Sequence, residues 1–187
     1  MKIAMRVLSV VMAGGIAVAG GDYTAATDNV GYHTGGFMGV RGSYVFSIKS
    51  SILGLPGGGY FDDNYKGDGG SFGVYLGGQE GQWRAILSYD YFDNDKQNYD
   101  LFMGEIDYFF LQNPPAFQPY LGINGGWLGY ETPNASDSDG FSYGATLGVV
   151  YRINQSVDLD FSARYLFATQ DEVDHIGSFS LGINYFY

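Results

Sequence analysis

In the last third of the chain, apolar and polar residues alternate one by one. Over residues 140–153, Phe141, Tyr143, Ala145, Leu147, Val149, Tyr151 and Ile153 share one parity, and Ser142, Gly144, Thr146, Gly148, Val150 and Arg152 share the other. Over 157–167, Val157, Leu159, Phe161, Ala163, Tyr165 and Phe167 oppose Asp158, Asp160, Ser162, Arg164 and Leu166. Over 178–187, Phe179, Leu181, Ile183, Tyr185 and Tyr187 oppose Ser178, Ser180, Gly182, Asn184 and Phe186. Successive side chains on a strand point to opposite faces, so each run predicts a two-faced strand. Five earlier segments, 36–48, 70–78, 83–92, 99–110 and 118–130, alternate less cleanly. At roughly 9–13 residues each, the segments can cross a bilayer at a tilt. Eight strands, with no helical period after the first segment, predict one all-β domain.

The connections carry a pattern too. A long loop at 49–69 precedes a tight turn at 79–82. A charged loop (93–98), a Pro-Pro turn (111–117), a loop at 131–139, the turn 154–156 and a loop at 168–175 follow. Longer loops on one side and shorter turns on the other suit an up-and-down antiparallel barrel in an outer membrane.

Size decides which face points in. The lumen of an eight-stranded barrel is just wide enough for side chains to fill. The Gly, Ser, Thr and Asn faces fit it, so the aromatic face is expected outside, in lipid. The rings are also sorted by height. Tyr44, Phe46, Phe72, Tyr89, Tyr91, Trp127, Phe141, Tyr143, Tyr165, Phe167 and Phe179 fall at loop ends; Trp83, Tyr108, Phe110, Tyr151, Tyr185 and Tyr187 fall at turn ends. Val40, Val74, Leu76, Leu87, Ile106, Ile123, Leu147, Leu159 and Leu181 lie between them. Amphipathic rings favour the headgroup zone, so an aliphatic band between two aromatic girdles marks a membrane barrel.

Charge agrees. Arg41, Arg84, Arg152 and Arg164 have inward parity, as do Asp90, Glu105, Asp107, Asp158 and Asp160. A lipid-facing Arg at the midplane would cost ~2–4 kcal/mol, whereas inside it can pair with a carboxylate. The 154–156 turn sets Arg152 opposite Asp158 if Ile153 pairs with Val157, and the hairpin of strands three and four sets Arg84 opposite Glu105 or Asp107, depending on register. Lys49, Lys66 and Lys96 fall in loops.

Composition narrows the rest. The chain has 187 residues, 30 glycines, no cysteine, 18% aromatics, 16% charged residues and a net charge of −11. Abundant rings exclude disorder, the acidic balance excludes bulk nucleic-acid binding, and the lack of cysteine excludes disulfides and thiolate metal sites. Lys2 and Arg6, the uncharged run at 7–18 and the small-x-small Ala17-Val18-Ala19 have the layout of a cleaved secretory signal peptide. The expected organisation is leader 1–19, periplasmic tail 20–35 and barrel 36–187.

The sequence resembles the small eight-stranded outer-membrane β-barrels, that is, the OmpA-type transmembrane domain and its stand-alone relatives. The resemblance spans nearly the whole chain after the leader. It rests on the strand count, on Pro119-Tyr120-Leu121-Gly122-Ile123-Asn124-Gly125-Gly126, and on the C-terminal strand Phe179, Leu181, Ile183, Tyr185 and Tyr187. It implies a Gram-negative outer-membrane location, contact with lipid and lipopolysaccharide, and recognition of that last strand by the outer-membrane assembly machinery. The terminal residue is Tyr where the family more often has Phe.

Little else points to chemistry. Some small barrels are enzymes acting on lipid A, but the two histidines fit poorly. His33 precedes the first strand, and His175 and Ser178, three apart, fall on opposite faces. Glu105 and Asp107 beside arginines read as electrostatics of a plug rather than as an acid pair. Asp62, Asp63, Asp68, Asp93, Asp95, Glu131, Asp137, Asp139, Asp171, Glu172 and Asp174 form an acidic loop rim. The run 62–69 looks like a calcium loop but lacks the bidentate Glu, with Gly73 in its place. The expectation is a non-enzymatic barrel without cofactor or metal. Its role is structural or surface-interaction, its lumen is closed by Arg/Asp/Glu ion pairs, and its loops are free to meet an extracellular ligand. Two alternatives remain: a narrow gated porin-like pore, and a soluble lipocalin-type barrel with the rings inward.

Overall fold

The computed structural model describes residues 33–48, 68–94, 97–111, 116–131, 138–169 and 175–187. The leader at 1–19, residues 20–32 of the tail, Lys49, Lys66, Lys96 and the acidic residues Asp62, Asp63, Asp95, Asp137, Asp171, Glu172 and Asp174 lie outside the described residues. So does most of the calcium-like run.

Eight strands form: β1 (Gly35–Ile48), β2 (Gly69–Glu80), β3 (Trp83–Asn94), β4 (Gln97–Phe109), β5 (Phe117–Glu131), β6 (Ser138–Arg152), β7 (Val157–Ala168) and β8 (His175–Phe186). Each pairs antiparallel with the next, and β1 pairs with β8, so the sheet closes into a barrel without edges. From Gly36, successive register partners are Gly78, Ala85, Ile106, Ile123, Ala145, Tyr165 and Gly177, which returns to β1 at Phe46, ten residues farther along. Such a stagger accompanies strands tilted by roughly 35–45° to the barrel axis.

Two turns fix the register where they occur. Between β2 and β3 only Gly81 and Gln82 intervene, and Gly81 has φ +56°. A two-residue hairpin with glycine first matches the twist of the strands it joins. Between β6 and β7 the Asn154 side chain accepts bonds from the backbone amides of Ser156 (2.8 Å) and Val157 (3.0 Å). That turn places Arg152 opposite Asp158.

The sequence expectation needs two corrections. The charged loop at 93–98 is not one: Asp93 pairs with Asn98 and Asn94 with Gln97, leaving only two residues between β3 and β4. The ladder there runs through polar residues that an apolar pattern cannot see. The interior is also not filled by small polar residues and ion pairs alone. Phe37, Tyr75, Phe92, Tyr99, Phe109, Tyr120 and Phe186 are buried there. Glycine makes the room: a Cβ on Gly148 would collide with the Tyr120 ring, and one on Gly39 with the Tyr75 ring. Pairing large with small residues is how a narrow barrel packs.

The outer face is apolar. Phe72, Trp83, Trp127, Phe141, Tyr143, Phe179 and Tyr185 are exposed at its two ends, and Val40, Ile106, Ile123, Leu147 and Leu181 are exposed between them. Ile123 is 67% and Phe179 61% accessible, values that make sense only where lipid replaces water. No described helix is long and apolar enough to cross a membrane; the strands are the spanning elements.

Candidate functional site

The interior is built in three levels. At the turn end, Phe37, Tyr75, Ile86 and Phe186 form one apolar cluster, and Phe109, Tyr120 and Val150 form another. His33, just before β1, stacks on Phe186 with ring centroids 4.0 Å apart, and its Nε2 lies 3.1 Å from Asp158 Oδ1. Arg152 Nε is 3.8 Å from the same carboxylate oxygen.

The middle level holds the charges. Arg84 on β3 donates from Nε to Asp107 Oδ2 (2.8 Å) on the neighbouring β4. Its Nη1 donates across the lumen to Asp160 Oδ2 (2.8 Å) on β7. The Tyr120 hydroxyl donates to the other oxygen of Asp160 (2.8 Å), and the guanidinium sits 4.4 Å above the Tyr120 ring. Arg41 on β1 grips Asp90 on β3 with two nitrogens, Nε at 2.7 Å and Nη2, and Nη2 also donates to Ser88 Oγ (2.9 Å). Asp90 accepts a second arginine, Arg164 Nη1 at 3.3 Å, whose Nη2 donates to Glu105 Oε2 (2.8 Å). The planar fork of arginine suits such bridging between carboxylates.

Every one of these charged groups is buried, Asp107 completely. Burying an ion costs several kcal/mol, and attraction offsets this only where geometry is good and remaining polar atoms find partners. Neutral side chains supply two of them, the Tyr120 hydroxyl to Asp160 and Ser88 Oγ to Arg41. Other buried neutral groups pair with one another: Tyr75 donates to Asn184 Oδ1 (2.5 Å), and Asn124 Nδ2 donates to Thr146 Oγ1 (2.8 Å).

At the loop end the chemistry changes. Val45, Phe92, Tyr99, Leu101, Met103, Leu128, Leu166 and Ile176 pack into one buried apolar cluster. Phe92 and Tyr99 stack with centroids 4.8 Å apart. Sequence reasoning gave no place in the lumenal network or apolar clusters to these residues, nor to Tyr75, Tyr120 and His33. Strand parity assigns these rings inward, since Tyr75 shares the parity of the buried Gln79, and Tyr120 that of the buried Gln118 and Asn124. Nothing in the sequence signals the His33 contact, which joins residues 125 apart.

The structure brings together Arg41, Arg84, Asp90, Glu105, Asp107, Asp160 and Arg164 at one level and sets Arg152 with Asp158 below them. His175 and Ser178 stand on opposite faces of β8: Ser178 shares the inward parity, while the His175 ring stacks on outward-facing Tyr165 (5.6 Å). Among the described residues no group of His, Cys, Asp or Glu is placed to hold a metal ion. The arrangement can bind and brace.

The chain matches no protein-family model and no curated relative by sequence. Solved structures match it by fold. One is Neisserial surface protein A (NspA), with TM-score 0.64 and 21% identity, covering 81% of this chain and 97% of that one. Another is outer membrane protein H (OprH) of Pseudomonas aeruginosa, with TM-score 0.57 and 18% identity over 81% of this chain and 99% of that one. A third is outer membrane protein OprG of the same organism, with TM-score 0.52 and 14% identity over 86% and 99%. The chain thus has the fold of the small eight-stranded outer-membrane β-barrels.

Proposed function

We propose that this chain is an integral protein of a bacterial outer membrane, delivered by a cleaved leader, with a structural or surface-interaction role and a lumen that does not conduct. The observation that carries the reading is the inversion of the two faces: rings and aliphatic side chains outside, buried arginines and carboxylates inside. In water that outer face would aggregate; in lipid it is the stable arrangement. The folds it shares belong to outer-membrane proteins, which supports the location. Lumenal closure is supported by two stacked levels, the ion-pair network and the loop-end apolar cluster, both filled by buried side chains.

On this reading β8, with outward Phe179, Leu181, Ile183 and Tyr185, together with the Tyr187 that follows it, is the strand presented to the assembly machinery. Lipid and lipopolysaccharide are the partners of the outer face, and the loops are free to meet an extracellular ligand. Fractionation tests the location: the protein is expected with the outer membranes and, unheated, runs on a denaturing gel at a mobility that shifts on boiling. Recovery in the periplasmic supernatant would sink the reading. Planar-bilayer recording tests closure, and steady conductance steps would replace it with the narrow gated pore.

A further inference from the structure

A groove of about 1090 Å³ lies on the outer surface rather than in the lumen, running from the start of β1 across β2 to β6. Two pairs of register partners floor it, Gly78 with Ala85 and Gly104 with Gly125. The second pair stands one outward position higher than the first, so the groove climbs diagonally between Leu87 and Ile106. Its upper end is closed by Phe141, whose ring would lie 3.2 Å from a Cβ on Gly125. Its lower end opens at the turn level beside Thr34, Glu80 and Trp83.

We infer that this groove binds one amine-bearing phospholipid of the periplasmic leaflet, with an acyl chain along the glycine floor and the headgroup ammonium at Glu80. The inference rests on the outer-membrane reading above, which puts the turn end at the periplasmic side. Three features select this occupant. The floor is apolar and lies within the lipid-facing band, so water cannot fill it stably. The groove runs from headgroup depth toward the middle of the barrel wall, as a chain hanging from one leaflet does. Glu80 is exposed with outward parity at its mouth, while the four arginines among the described residues have inward parity. With no described lysine or arginine facing outward, a net-anionic headgroup has no counter-charge there, whereas an ammonium has Glu80.

The protein refolded in detergent is mixed with equal amounts of phosphatidylethanolamine and phosphatidylglycerol of the same chain length and released from micelles for native mass spectrometry. One retained phosphatidylethanolamine is expected, at least tenfold over phosphatidylglycerol. Gly104→Leu fills the floor where a Cβ meets only ordinary contacts at 3.8 Å, and Ala85→Leu fills it independently. Each is expected to cut retention at least tenfold with heat-modifiable mobility unchanged. Glu80→Gln is expected to keep the chain site and remove the headgroup preference. Equal retention of the two lipids by the unaltered protein, retention unaffected by both leucine variants, no retained lipid, or a second copy of the barrel in place of lipid would each overturn the inference. Because the assay uses refolded protein, such a result leaves fractionation to judge the outer-membrane reading separately.

Discussion

The middle and the loop end of the lumen are filled by side chains from the inward faces of largely the same strands, yet they are held by opposite means. On β4, Glu105 and Asp107 face guanidiniums, while Leu101 and Met103, the next inward positions up, join the apolar cluster, with a serine hydroxyl beside Met103. The charged level is specific but exposed to error: each ion is stable only while its partner remains. The apolar level has no such dependence, and loses only the contacts of the atoms removed. Inwardness therefore fixes burial but not polarity. What fills each height is set by what faces it across the lumen.

The sharpest way to break this comparison is to remove one charge. Arg84→Met keeps most of the volume but leaves Asp107 and Asp160 buried without their cation. A loss of about 3–5 kcal/mol is expected, read as the urea midpoint of the gel-shifted folded fraction. The double variant Arg84→Met/Asp107→Asn is expected to recover part of it. A loss below about 1 kcal/mol would show that water or protons neutralise the level, and the two halves of the lumen would no longer differ in kind.

The apolar level is probed by Leu128→Ala, at a completely buried position in the loop-end cluster. The expected loss is about 2–4 kcal/mol by the same readout, from lost transfer energy and the cavity left behind. No second substitution is expected to rescue it as the charge pair can be rescued, because no buried ion is stranded. Rescue by a distant polar change would sink that distinction.

How far the sequence carries this picture follows the same division. The three C-terminal strands are legible because their inward faces are mostly small or polar, so the alternation stands out. In β3 and β4 the loop-end cluster puts Phe92, Tyr99, Leu101 and Met103 on the inward face, and both faces become apolar. That is why alternation fades there. The Arg152–Asp158 and Arg84–Asp107 registers are local consequences of hairpins and can be reasoned from a turn. Arg41 with Asp90, Arg164 with Asp90 and Glu105, and Arg84 with Asp160 join strands that are not neighbours. Those pairs depend on barrel closure and stagger, which no single hairpin encodes.

Packing inside the wall gives a smaller effect. Gly148 lies under Tyr120, whose hydroxyl holds Asp160 and whose ring lies under Arg84. Gly148→Ala must push the ring aside, and overpacking of this kind costs about 1–3 kcal/mol. Calorimetric or gel-based midpoints would report it. Combining Gly148→Ala with Tyr120→Leu is expected to cost less than the sum of the two single changes, since the smaller side chain removes the collision.

The same substitution on the other face of the wall is expected to do almost nothing, which makes it the finest test of the contrast between lumen and lipid. Gly42 points outward between its register partners Phe72 and Leu181, and a Cβ there would have no heavy atom within 4 Å. Alanine adds one apolar group to the lipid face and restricts the unfolded backbone. Gly42→Ala is therefore expected to stay within about 0.5 kcal/mol of the unaltered protein, on the stabilising side if it moves. Lipid is a fluid neighbour and yields to a methyl group, whereas Tyr120 is braced by a hydrogen bond and a guanidinium and cannot. Should Gly42→Ala lose as much as Gly148→Ala, the β1 face would have to be packed against a rigid partner rather than bathed in acyl chains.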